Sequence, residues 1–229
     1  MAFQDPEAFM RAARLLRADI KDGDGDGEAP LCKACRDGRV AVARALLDMG
    51  TSANAMDSEE NTALMLASEQ GHTETTRLLL DRGADIKASK KPTGNTALTL
   101  ASEQGHTETA RLLLDRGADI EASDACGKTA LMLASEQGHA ETARLLLNRG
   151  ADIEASDACG KTVLMLASEE GRTETARLLL DRGADIKARS SRGFTALTLA
   201  SRNGHNGTVG LLLLHARAFN AGEKRQRTA

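Results

Sequence analysis

The residues best equipped for chemistry in this chain are four cysteines, five histidines and one acidic, glycine-rich run. Cys32 and Cys35 form C-x-x-C. A structural zinc site needs four soft ligands, and this pair supplies two. A redox C-x-x-C needs a βαβ setting, which the surrounding sequence lacks. Both thiols are therefore expected to be small core residues. Asp22-Gly23-Asp24-Gly25-Asp26-Gly27 matches the first six positions of a calcium loop. Such a loop closes with a bidentate Glu at its twelfth position. Lys33 stands there, so an acidic turn is expected instead. His72, His106, His139 and His205 recur at one spacing, which points to a structural role, and His215 stands alone. No Ser or Cys nucleophile has a His base set beside it by any motif, and no phosphate-binding glycine loop occurs. The expectation is a non-enzyme with no cofactor and no bound metal.

The histidines recur because the chain around them recurs. T-A-L-M-L-A-S-E-Q-G-H begins at Thr62, with near copies at Thr96, Thr129, Thr162 and Thr195, at steps of 34, 33, 33 and 33 residues. A weaker copy begins at Ala29. Self-similarity at this period marks an array of small stacked units. Within one unit, Thr129 is a good helix N-cap, followed by about two helical turns from Ala130 to Gln137. Gly138 supplies the left-handed residue that stops that helix. A second helix runs from Ala140 to Arg149, with Glu141 early and Arg149 late, both favourable to the helix dipole. Residues 151–161 are extended and turn-rich, with Asp157 and Gly160, and suit a projecting hairpin. Leu131, Leu133, Ala134, Leu146 and Leu147 form the apolar set. Isolated helices need roughly 12–15 residues to persist in water. These are shorter, so each unit must bury its leucines against the next one. Cys126 and Cys159 share one finger position in adjacent units, where they are expected to be exposed and too far apart for an unstrained disulfide.

The full unit reads G-x-T-A-L-x-L-A-S-x-x-G-H-x-E-T-x-R-L-L-L-x-R-G-A-D-I. It resembles the ankyrin repeat, G-x-T-P-L-H-x-A-A-x-x-G-H-x-E-x-V-x-x-L-L-x-x-G-A-D. The resemblance covers six copies, at 24–56, 57–90, 91–123, 124–156, 157–189 and 190–221. It implies a mainly α fold, an ankyrin-repeat solenoid of stacked helix-turn-helix units joined by β-hairpin or turn fingers. Residues 1–23 read as an N-terminal capping helix or half-repeat, with Phe9, Ala13 and Leu16 facing the stack, and 222–229 as a basic disordered tail.

Departures from the family pattern lower the expected stability. The Pro after the Thr survives only as Pro30, and the family's His in the first helix becomes Met65, Thr99, Met132, Met165 and Thr198. The apolar pair opening the second helix becomes Thr75–Thr76, Thr109–Ala110, Thr142–Ala143 and Thr175–Ala176. Each methylene lost from a core is worth about 0.8 kcal/mol. Glu60 replaces a finger glycine, and one residue is added near Lys90–Lys91–Pro92, so that finger should differ in shape.

Composition narrows the class. Of the 229 residues 41% are hydrophobic but 2% aromatic, so Leu and Ala must fill the core in thin layers. The net charge of −3 gives no global pull toward nucleic acid or an anionic membrane. No run of 18 apolar residues could span a membrane, and the N-terminus lacks the apolar stretch of a signal peptide. Arg11, Arg14 and Arg17 give a faint transit-peptide character, opposed by Asp5, Glu7 and Asp19. Cysteines without framework spacing fit a reducing compartment, the cytoplasm first and the nucleus as the alternative.

The family resemblance implies that a partner protein meets the finger tips and the exposed ends of the first helices, along a concave face. By register, the helix positions are Glu69, Gln70, Glu103, Gln104, Glu136, Gln137, Glu169, Glu170, Arg202 and Asn203. The fingers add Lys128, Lys161, Arg192 and Phe194. The helix column reads as an acidic stripe between Arg36 and Arg202. Each Glu lies in the last turn of its helix, where the dipole disfavours an anion. Phe194 is a ring where other units carry Asn or Lys, and aromatics are favoured as hot spots. The expected function is a monomeric, non-catalytic protein–protein interaction scaffold or adaptor, binding a basic or mixed-charge segment of another protein, with no membrane involved. One alternative is a regulatory or substrate-recognition subunit of an enzyme complex such as a ubiquitin ligase. Another is a weak nucleic-acid binder through Lys90–Lys91 and Lys224–Arg225–Gln226–Arg227, a reading disfavoured by so few charges beside an acidic stripe.

Overall fold

Threonine hydroxyls mark where the first helix begins in four of the six units. Thr62 Oγ1 accepts the Met65 N–H at 3.2 Å, and Thr129 Oγ1 accepts that of Met132 at 3.5 Å. Thr195 and Thr198 cap each other reciprocally. Glycine sets where it ends: Gly138 follows Gln137 in the left-handed region at φ +84°. The computed structural model describes residues 29–227, with side chains through residue 217. Among these residues the chain forms twelve helices. Six first helices are α1 (Pro30–Arg36), α3 (Ala63–Glu69), α5 (Ala97–Glu103), α7 (Ala130–Gln137), α9 (Val163–Glu169) and α11 (Ala196–Arg202). Six second helices are α2 (Val40–Asp48), α4 (Thr73–Asp81), α6 (Thr107–Asp115), α8 (Ala140–Asn148), α10 (Thr173–Asp181) and α12 (Asn206–Arg227). The expected capping segment 1–23 and the acidic run 22–27 lie outside the described residues.

The two helix types bury different amounts of themselves. In α3, α7 and α9 every residue through the buried Ser is sequestered, for instance Ala63 to Ser68. A helix apolar all round belongs inside a stack. The second helices are amphipathic: α8 buries Thr142, Ala143, Leu145 and Leu146 at spacings of one, three and four, and leaves Glu141 and Arg144 outside. Cys32 and Cys35 are fully buried core residues, and burial pushes the Cys35 thiol up to about 12.

The chain divides into two compact units. The first holds the described residues up to Ala101 together with Glu108–Asp119; the second holds Ser102–Thr107 and the chain from Ile120. In the first, α1 packs on α2 and α3, α3 packs on α4, and α2 on α4. In the second, α7, α9 and α11 pack in one row and α8, α10 and α12 in another, each first helix also touching the second helix of its own pair.

Short fingers join the units. Antiparallel bridges pair Met56 with Thr62, Ser89 with Thr96, Ser123 with Thr129, and Ser156 with Thr162. The added residue near Lys90 widens its finger: Gly94 N–H bonds to Lys90 O, a four-residue step, where Gly127 and Gly160 make three-residue steps to Asp124 and Asp157. Glu60 takes its glycine-like position at φ +65°. The last helix departs from expectation, because α12 runs on to Arg227 rather than ending near 221. The Gly-Ala-Asp that stops α4, α6, α8 and α10 is here Ala216-Arg217-Ala218, so no left-handed residue interrupts it.

Candidate protein-binding site

Each finger leads directly into a first helix, which brings finger and helix end together at fixed register. The finger residue just before the N-cap lies eight positions ahead of the last-turn Glu. In the fourth unit this pairs Lys128 with Glu136: Nζ donates to Oε1 at 2.8 Å and to Oε2 at 2.6 Å. In the fifth, Lys161 Nζ donates to Glu169 Oε2 at 2.5 Å. Both pairs are three-quarters covered, with side-chain exposures of 20 to 27%. Burial alone would lower the Lys128 pKa. The hydrogen bond and charge of Glu136, with Asp124 and Asp157 beyond it, override that and hold it above the ordinary lysine value. A last-turn carboxylate opposed by the helix dipole is thus compensated by a cation reaching along the helix.

This pairing changes what the column presents. The expected acidic stripe is not bare, because Glu136 and Glu169 each carry their own lysine. In the first unit Arg36 Nη2 reaches Asp57 Oδ2 in the next finger at 3.0 Å. Gln70, Gln104, Gln137, Glu170 and Asn203 are exposed, and Glu69 and Glu103 half-buried. In the sixth unit the register holds Phe194 and Arg202, and the guanidinium lies 4.8 Å from the ring centroid. Phe194 is half-buried under that stack, while Arg192 is exposed at the tip. Cys126 and Cys159 are free and exposed on neighbouring tips, and the Ala158 N–H bonds to the Cys126 carbonyl at 2.9 Å.

Three supports of this face escaped the reading of the sequence. The first is an aspartate that locks three of the fingers from inside. Asp124 Oδ1 accepts the N–H groups of Cys126 and Lys128, both at 2.8 Å, and Asp157 does the same for Cys159 and Lys161. Asp57 accepts Glu59 N–H, Asn61 N–H and Asn61 Nδ2. Burial pushes the Asp57 carboxyl up, but these bonds and the Arg36 charge prevail and hold it below the usual carboxylate range.

The second support is the histidine position. His72 Nε2 lies 3.0 Å from the Arg36 carbonyl and His205 Nε2 lies 2.8 Å from that of Glu169. Arg172, standing at the same register, donates Nε to the Glu136 carbonyl at 2.9 Å. Each of these side chains pins the end of the preceding first helix. The third support is a set of threonine pairs between second helices: Thr73 with Thr109, Thr107 with Thr142, and Thr173 with Thr208, each 2.8 Å between hydroxyls. The recurrence of Asp, His and Thr at the repeat period was the available signal; the partners were not, because they come from the stacking register.

The model of ankyrin repeats in three copies matches residues 7–90, 87–157 and 154–223. Among curated proteins, the chain is 39% identical over 77 residues to the ankyrin repeat and KH domain-containing protein mask of Drosophila melanogaster, covering 33% of this chain and 2% of that protein. It is 40% identical over 76 residues to human ankyrin repeat domain-containing protein 17, covering 32% of this chain and 3% of the relative. It is 46% identical over 59 residues to human ankyrin repeat and SOCS box protein 6, covering 23% of this chain and 14% of the relative. The chain thus spans a small fraction of the length of each of these relatives.

Proposed function

The chain belongs to the ankyrin-repeat family, whose repeats are generally protein–protein interaction modules, and from that premise we propose that it is a non-catalytic scaffold or adaptor for another protein. The partner contacts the finger tips and the ends of the first helices. The observation that carries this reading is the recurrence of a finger residue and a helix-end residue at one register, paired as Lys128–Glu136 and Lys161–Glu169. Such pairs present a mixed-charge, ordered surface rather than an acidic one, so the favoured partner segment is itself of mixed charge. Exposed Gln104, Gln137 and Glu170 alongside supply further hydrogen-bonding groups.

We place the protein in the cytoplasm or nucleus as a monomer, a reading supported by four cysteines that form no disulfide with one another. No helix among the described residues is long and apolar enough to cross a membrane. The likeness to a SOCS box protein favours a second reading, in which the chain recognises substrates for a ubiquitin ligase. Affinity purification with mass spectrometry separates the two. Partners recovered by the wild-type chain and lost from an E103K/E136K/E169K variant support the scaffold. Recovery of ligase subunits would move the assignment to the second reading, and unchanged partners in the variant would remove this face from the proposal.

A further inference from the structure

We propose that the finger and first helix of the sixth unit form a docking site for an acidic segment of a partner protein, built on Arg189, Arg192, Phe194 and Arg202. This rests on the reading of the chain as a protein-binding module and gives it a chemical class of partner.

Charge along the chain changes sign at this unit. Residues 1–186 hold 22 Lys and Arg against 32 Asp and Glu, whereas residues 187–229 hold eight against one, Glu223. The change follows the register of the repeat. Where Ser156, Cys159, Lys161, Glu169 and Glu170 stand at and after the start of the fifth unit's finger, Arg189, Arg192, Phe194, Arg202 and Asn203 stand 33 residues on, Arg189 being the last residue before the sixth unit. Copying a unit reproduces its charges. Here the finger gains two arginines and the helix end exchanges two acids for Arg and Asn, all on the face where the fourth and fifth units close Lys–Glu pairs.

The geometry leaves these cations open to an outside anion. Arg189, Arg192 and Arg202 are exposed. Among the described residues no carboxylate pairs with any of the three. Arg189 Nη1 donates to the Gly193 carbonyl at 3.0 Å, which ties that guanidinium to the finger next to Phe194. Arg202 lies over the Phe194 ring, 4.8 Å from its centroid. A guanidinium stacked on a ring keeps its in-plane N–H groups, which match a carboxylate in bidentate fashion. Holding it over the ring in advance lowers the ordering cost of binding. Arginine beside an aromatic is also the composition of an interface hot spot. A single ring does not provide the series of stacking platforms on which single-stranded nucleic acid is held. The observations therefore favour a short acidic peptide segment.

The test uses the full chain and a fluorescein-labelled Glu-rich peptide with interspersed Leu, followed by anisotropy at rising salt. Saturable binding that weakens with salt is expected. The R189E/R192E/R202E variant should lose at least about tenfold in affinity, while R144E, a reversal on a second helix, should bind as wild type. F194A keeps every charge and should still weaken binding. Circular dichroism on each variant separates loss of binding from loss of fold. Wild-type affinity in a folded triple variant would overturn the proposal. So would tighter, triple-sensitive binding of a polyuridine oligonucleotide, which would make the surface a nucleic-acid site. A dimer in light scattering that the triple variant dissociates, with no peptide bound, would make a second copy the occupant. Purification from cells that recovers the same partners with wild type and the triple variant would defeat this inference alone; recovery of none with either would defeat the protein-binding reading beneath it.

Discussion

Thr175 Oγ1 is buried without a hydrogen-bond partner, and the reason lies 35 residues earlier. At that spacing Thr107 meets Thr142 and Thr173 meets Thr208, but the residue ahead of Thr175 is Ala140. Thr75 is orphaned in the same way, because Val40 stands where its partner would be. A buried hydroxyl left unpaired costs on the order of 1–3 kcal/mol. Ala140→Thr should therefore raise stability by about 1 kcal/mol, read as a higher urea midpoint at unchanged slope. Thr175→Val should do so by removing the hydroxyl, and combining the two should forfeit the gain of the first. An Ala140→Thr midpoint at or below wild type would contradict the pairing. The sequence carried half of this: threonines at the head of the second helix stood out as a loss of methyl groups, and the structure shows that three cross-unit pairs partly offset it. The other half needed to know which threonine faces which, and neither period nor composition contains that. Glu60 is the opposite case, since a non-glycine in a column of glycines announces its own positive φ, and the backbone is at +65°.

At the scale of the element, glycine acts in two separate ways, and substitution can tell them apart. Gly183, after α10, has φ +91° and open space where a Cβ would go. Gly171, between α9 and α10, has φ +68°, and a Cβ there would come 2.6 Å from the His205 ring carbon Cγ. Gly183→Ala therefore pays only the left-handed backbone cost, about 1–2 kcal/mol. Gly171→Ala pays that cost and must also displace the ring from its bond to the Glu169 carbonyl, for a total of about 2–4 kcal/mol. Thermal melts of the two variants should rank in that order, and equal losses would show that the ring yields freely. The finger has its own signature in pH. Asp57 titrates below the ordinary carboxylate range in the folded state, so near pH 4 the unfolded chain binds more of this proton. Its contribution is complete above about pH 4 and disappears as pH falls through the lower, folded value. Asp57→Asn keeps an acceptor for the finger N–H groups but loses the charge facing Arg36. It should cost about 1–2 kcal/mol at neutral pH and progressively less below pH 4. A constant difference across that range would assign the effect to packing instead of charge.

At the scale of the whole chain, the repeat period exposed helix pairs, glycine stops and fingers in advance, because each of these is decided within a few residues. Lys128–Glu136 was hidden although both residues were in view. A lysine and a glutamate eight apart across a finger, a cap and two turns meet only once the finger folds onto its helix. The division into two compact units was also not legible, since the copies on either side are nearly the same sequence. That near-identity makes cooperativity testable, because the same defect recurs in both units. Ser68 in the first and Ser102, Ser135 and Ser168 in the second bury hydroxyls without partners. Stability in repeat arrays is close to a sum over units and neighbouring interfaces. Ser135→Ala with Ser168→Ala, sites in different helices, should together add about 2 kcal/mol, all of it in the second unit. Stabilising one unit alone should shift only that unit's part of the urea transition, so the width of the curve should change while one of its arms stays in place. Adding Ser68→Ala should then move the remaining arm up. A double variant that moves the entire transition upward at unchanged width would mean that the two units unfold as one.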